Sequence, residues 1–240
     1  MYISSNPNNE LEQSILQVPD LVQIPEELLE MARKFQEIMM MYTCAIREVK
    51  TKFEVLNDEL SVRNKRNPIE MIKSRVKKPM SIVEKLSKRG QPITLESMIS
   101  NLDDVAGVRV ICSFLDDIYE VSDMIAKQDD IKIISIKDYI KNPKENGYRS
   151  YHMIIEIPVF FSDRKQPMKV EVQIRTIAMD FWASLDHQIK YKKEFPGAEN
   201  VSMDLKECAD IIADTDNRML KIRKIIESNI AENNVNDDDV

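Results

Sequence analysis

The sequence predicts an α+β domain, a mixed β-sheet flanked by helices, with one long helix before it and another after it. Three observations carry the prediction. Apolar residues recur with a helical period near both ends of the chain and give way to β-branched runs in the centre. The centre reads strand, helix, strand, strand, strand, helix. At 240 residues the chain can bury one substantial core.

Residues 1–23 are polar and read as a flexible start, and 24–66 read as a helical region. Pro25 stands at a helix N-terminus, followed by Glu26 and Glu27, which suit the positive end of the helix dipole. Leu28, Met31, Phe35, Ile38, Tyr42, Ile46, Val49, Phe53 and Leu56 recur at steps of three and four. That is one stripe of a long amphipathic helix, a face for packing on a core rather than a cofactor box. Asn67 and Pro68 open a second helix through Ser74 into a basic stretch, which Pro79 breaks. Residues 81–88 and 95–102 read as short helices. The centre then runs as strand 105–114, helix 116–127, strand 131–136, loop 137–149, strand 150–160, a turn through 163–167, strand 169–176 and helix 177–192. The main domain is therefore placed at 67–195, a C-terminal helix at 202–230 and an acidic tail at 231–240.

Composition removes several functions. The net charge of −7 disfavours indiscriminate binding to nucleic acid or an anionic membrane. A local basic surface is still available from Lys73, Arg75, Lys77, Lys78, Lys85, Lys88 and Arg89. Cys44, Cys112 and Cys208 are far apart, with no zinc spacing, and read as reduced thiols of a cytoplasmic protein. The N-terminus does not look like a signal peptide, and the apolar cluster near 38–46 is too short for a bilayer. The four glycines are isolated, which excludes a Walker A loop and a Rossmann fingerprint.

Two polar constellations remain. In the first, Lys144, Tyr148, Arg149 and His152 crowd around Gly147. These side chains can stack on a base and pair with phosphate. A tyrosine beside glycine stacks with its ring face, leaving the phenol spare, or else closes a sheet edge. In the second, strand alternation puts Val170, Val172 and Ile174 on one face and Glu171, Gln173 and Arg175 on the other. A solvent-facing strand gives the same pattern. Asp103 or Asp104 precedes the first central strand, as a cap or as a metal ligand. Asp104 and Glu171 can hold Mg²⁺ together only if their strands are neighbours. His187 reads as structural or surface.

The stretches Lys73–Lys77, Asp104–Phe114, Asp138–Pro143, Asn146–His152 and Glu171–Trp182 resemble the RelA/SpoT synthetase domain, and the RelP type of small alarmone synthetase more than the RelQ type. The resemblance spans roughly 68–191. It implies a nucleotidyltransferase-like fold and transfer of pyrophosphate from ATP to the 3′-hydroxyl of GDP or GTP, releasing AMP. It also implies roles for residues. Arg75, Lys77 and Lys85 hold the ATP phosphates, and Arg109 stacks on adenine. Asp104 and Glu171 bind Mg²⁺, with Glu171 also accepting the 3′-hydroxyl proton. Tyr148 stacks on guanine, Lys144 and His152 approach the guanosine phosphates, and Gln173 orients the acceptor. A homotetramer built through terminal helices is implied, as are regulation by an alarmone or RNA and no membrane partner. No His-Asp dipeptide occurs, so synthesis without hydrolysis is expected. The alternative is a non-catalytic guanine-nucleotide- or RNA-binding module on the same fold.

Overall fold

The computed structural model describes residues 25–63, 66–190 and 198–237. The expected flexible start at 1–23 and the last three residues of the acidic tail lie outside the described residues. The chain divides into two units, Met1–Met39 and Met40–Val240. Of the first, the described part is the opening of helix α1 (Glu26–Arg63), with Glu26 and Glu27 in its first turn. The second unit holds the rest of α1 and the elements that follow. These are β1 (Ile69–Val76), α2 (Pro79–Lys88), α3 (Leu95–Asn101), β2 (Ala106–Cys112), α4 (Leu115–Ala126) and β3 (Lys132–Asp138). Then come β4 (Tyr151–Phe160), β5 (Lys165–Thr176), α5 (Ile177–Lys190) and α6 (Ala198–Asp237).

The strands form one sheet in the order β1-β2-β5-β4-β3. β2 and β5 run parallel, and the other three pairings are antiparallel. This is the mixed sheet of the predicted α+β class. Val170, Val172 and Ile174 are fully buried, as are Met153, Ile155 and Ile157 on β4 and Val108 and Val110 on β2. Ile118, Val121 and Ile125 of α4 join the core. So do Tyr42, Ile46, Val49 and Phe53, the middle of the α1 stripe. Each such side chain contributes about 1.5–3 kcal/mol by leaving water.

Two boundaries differ from expectation. Residues 69–76 form the edge strand β1 rather than a helix. Ile69, Ile72 and Val76 have helix-like spacing of three and four because a bulge between Ile69 and Met71 shifts the alternation. The Asn67 side chain accepts from the Ile69 N–H at 3.1 Å, and the Pro68 carbonyl accepts from the Ser113 N–H at 3.1 Å. The Asn-Pro pair thus starts a strand. The second difference is α6, which runs on through Asp237 where an acidic tail is expected. Nothing between Ser228 and Asp237 is glycine or proline, so no residue there stops a helix.

Candidate active site

The register of the sheet assembles the site. Across the five strands one row reads Lys73, Arg109, Gln173, His152, Lys137. The next row brings Arg75, Gly107 and Glu171 side by side. Side chains in a row share a face. That face opens into a cleft of about 220 Å³ bordered by Lys73, Arg75, Asp104, Arg109, Glu171 and Gln173. The condition for an Asp104–Glu171 pair is met: β2 and β5 are neighbours, and Asp104 stands two residues before β2.

Asp104 is the hub at the mouth of β2. Lys77 donates to Oδ2 at 2.9 Å and Lys85 at 2.5 Å. Burial alone would raise the Asp104 pKa, but the two ammonium groups outweigh it and hold the carboxyl below its ordinary range. Its Oδ1 is buried and has no hydrogen-bond partner among the described residues. Glu171 accepts from the Gln173 amide at 2.8 Å and lies 3.4 Å from His152 Nδ1. Burial again pushes its pKa up, and His152 and Gln173 pull it below the usual value. Two ionised carboxylates, one with an unused buried oxygen, suit a hard divalent cation. Among the described residues no group of three or more His, Cys, Asp or Glu side chains is gathered for a metal.

The constellation around Gly147 adjoins that of Glu171 through Gln173 and His152. Arg175 donates to the Gln173 side-chain oxygen at 2.9 Å and to the Tyr148 hydroxyl at 2.5 Å. The Tyr148 hydroxyl is 2.8 Å from His152 Nε2. The phenol is therefore engaged, against the expectation that only the ring face matters. The Lys144 ammonium lies 4.8 Å from the Tyr148 ring centre and 4.7 Å from that of Tyr139. The loop carrying Lys144 is set by Asp138, whose Oδ1 accepts from the N–H groups of Ile140 and Lys141. It closes with the Gly147 N–H donating to the Lys144 carbonyl at 2.8 Å. Gly147 sits at φ +84°, a region closed to most side chains.

Asp180 was not among the residues singled out from sequence. It lies in the first turn of α5, only 7% exposed, and accepts from Lys73, Arg109 and Arg175 at 3.0, 3.0 and 3.2 Å. Burial opposes its charge, and these cations overcome that to keep it ionised below the ordinary range. Sequence reading takes an aspartate there for a helix N-terminal acid. The available signal was charge balance: Lys73, Arg109 and Arg175 lie on three strands and need an anion between them. Arg175, which a solvent-facing strand would expose, is 4% exposed. The side chain of His187 lies outside the described residues.

A family model described as a region found in RelA/SpoT proteins matches residues 74–195. The chain is 43% identical over 202 residues to the GTP pyrophosphokinase YwaC of Bacillus subtilis (strain 168), which covers 84% of this chain and 96% of that protein. The crystal structure of small alarmone synthetase 2 from Bacillus subtilis superposes with a TM-score of 0.72 at 44% identity, covering 80% of this chain and 98% of that one. The structure of small alarmone synthetase 1 from the same organism, bound to its product pppGpp, gives 0.74 at 32% identity, covering 81% and 99%. The cleft thus lies in a sequence and a fold shared with GTP pyrophosphokinases, and the chain belongs to the RelA/SpoT family.

Proposed function

We propose that the chain is a (p)ppGpp synthetase that moves the β,γ-pyrophosphate of ATP to the 3′-oxygen of GDP or GTP. The supporting observation is the shared cleft: Asp104, Glu171, Arg75 and Arg109 meet on one face, and the Tyr148–His152 cluster adjoins it through Gln173. In this reading Arg75, Lys77 and Lys85 neutralise the donor phosphates, and Arg109 lies on adenine. Tyr148 stacks on guanine, Lys144 and His152 face the acceptor's phosphates, and Gln173 orients the acceptor ribose. Glu171 takes the proton of the 3′-hydroxyl as that oxygen bonds to the β-phosphorus and the bond to the bridging oxygen of AMP breaks. Asp104 and Glu171 would hold Mg²⁺, which would supply charge neutralisation for the transferred group. The site works by positioning and electrostatics, which is what phosphoryl-type transfer requires.

The assembly we propose is a homotetramer. Support comes from Ile177, Phe181, Leu185 and Ile189, which recur every four residues on α5 and remain 39–59% exposed. A cytoplasmic location accords with the free cysteines and with the finding that no helix among the described residues is long and apolar enough to cross a membrane.

Incubation with ATP, Mg²⁺ and either GDP or GTP, with products separated by chromatography, tests the reaction. Equal amounts of AMP and ppGpp or pppGpp are expected, and added alarmone should remain intact. Guanine-nucleotide binding with no AMP formed would replace the synthetase with the binding module.

A further inference from the structure

Arg149 stands between Tyr148 and Ser150, and its sequence position suggests another phosphate ligand. The structure assigns it a different role: Arg149 is a positioning residue that fastens the acceptor loop to helix α6, making the first half of α6 the rear wall of the acceptor site. The inference rests on the synthetase reading, which identifies the Tyr148 loop as the acceptor side.

The Arg149 guanidinium turns away from the cleft. It donates to the Ala209 carbonyl at 2.9 Å and pairs with Asp210 at 3.1 Å, both on α6. The same group reaches back to the Gly147 carbonyl at 3.4 Å, bracing the loop on itself. A carbonyl in mid-helix that already accepts its helical N–H has a second lone pair to offer, so the bond costs α6 nothing. On the other side of Tyr148, Gly147 presses on the same helix turn. A Cβ at position 147 would come within 2.5 Å of Ala209 Cβ and 3.5 Å of the Lys206 backbone. Contact this close requires glycine on the loop and a small residue on the helix, and Ala209 is 3% exposed. Tyr148 is therefore flanked by two residues that both bear on one turn of α6.

Two further anchors of the first half of α6 land beside the same site. The Trp182 indole N–H donates to the Leu205 carbonyl at 2.8 Å, two residues past Asp180. The Thr176 hydroxyl donates to Asp216 at 2.6 Å, next to Arg175. A displacement of α6 would move Gly147 and Arg149, and with them the Tyr148 ring. Among the described residues the Asp104 carboxylate has no tie to α6. Its cations come from the β1 and α2 side of the sheet.

Trp182 is the only tryptophan in the chain, and its indole bonds to α6 while its ring centre lies 6.5 Å from that of Tyr148. Its fluorescence reads GDP binding independently of turnover. The full-length protein is compared with Arg149→Ala, Ala209→Leu and Asp210→Asn, with thermal melts confirming that each folds. Asp210→Asn keeps the side-chain shape and serves if Ala209→Leu does not fold. In all three the KM and the fluorescence-derived Kd for GDP should rise, by about tenfold in Arg149→Ala, the equivalent of one charged hydrogen bond. The KM for ATP should stay within about twofold. Weakened GDP binding in Arg149→Ala alone would make Arg149 a direct nucleotide ligand and overturn the inference. So would an equal rise in both KM values, or no change in any variant. Wild-type protein that binds GDP but forms no AMP refutes the synthetase reading and leaves the Kd comparison standing. Wild-type protein that does not bind GDP overturns both.

Discussion

At the Asp104 end of the cleft, a carboxylate at the mouth of β2 is clamped by Lys77 and Lys85, and Arg109 is set by Asp180 at the head of α5. These groups sit on or beside regular elements whose register is fixed by backbone ladders. At the Tyr148 end, the side chains hang from a loop that is held by Asp138 at its start and by α6 behind it. One end is organised by charge pairing on a rigid sheet, and the other by aromatic contacts and packing against a helix. The two should therefore fail differently. Loss of a carboxylate at the first should stop chemistry in a folded protein, and loss of a contact at the second should weaken one substrate.

The largest effect is expected for Glu171→Gln and Asp104→Asn. Each preserves shape while removing a charge aimed at the transferred group, so kcat should fall by about 10²–10³-fold or more. Steady-state kinetics at saturating Mg²⁺, beside a melting curve, check this. Near-normal turnover in either variant would remove that carboxylate from the mechanism. The Tyr148 series comes next. Tyr148→Ala should weaken GDP binding by about five- to a hundredfold through lost stacking. Tyr148→Phe keeps the ring but removes one partner each from the buried Arg175 and from His152 Nε2, at a cost of about 1–3 kcal/mol in stability. A Phe variant as stable as wild type would mean that the phenol is spare after all.

The smallest effect is one of pH, with opposite signs at two carboxyls. The Asp180 pKa is lowered, so its contribution is fully present above the ordinary carboxylate range and is lost as pH falls through the lowered value. The Asp216 pKa, on α6, is raised by burial, so its contribution is present in acid and lost as pH rises through the raised value. Asp180→Asn should therefore lower the melting temperature at neutral pH, with the gap closing in acid. Asp216→Asn should raise it slightly at neutral pH, and that gap should also close in acid. Melting temperature measured against pH for both variants would expose a wrong sign directly.

β2, β4 and β5 are legible in the sequence because their apolar alternation survives in the sheet. β1 was hidden because its bulge imitates a helical spacing and because its partners on β2 are 30 to 43 residues away, beyond any local window. The motif carried the cleft residues, and the register then explained why they meet. What no local pattern could supply was the direction of side chains that serve other side chains. Asp180, the Tyr148 phenol and the outward turn of Arg149 all depend on partners between 27 and 107 residues distant. Charge counting along the strands would have found the first of these, and nothing in the sequence announces the other two.

The parallel seam between β2 and β5 has a consequence for how the molecule comes into being. The β4–β5 and β3–β4 ladders join strands that follow one another in the chain, whereas the seam joins strands separated by α4, β3 and β4. Closing it restricts the longest intervening stretch of any strand pairing in the sheet, an entropic cost that grows with loop length and slows assembly. Asp104 and Glu171 lie on opposite sides of that seam. A chain still emerging from the ribosome therefore carries half of its acidic pair with nothing to act on. Only when β2 and β5 pair do the two carboxylates face one cleft.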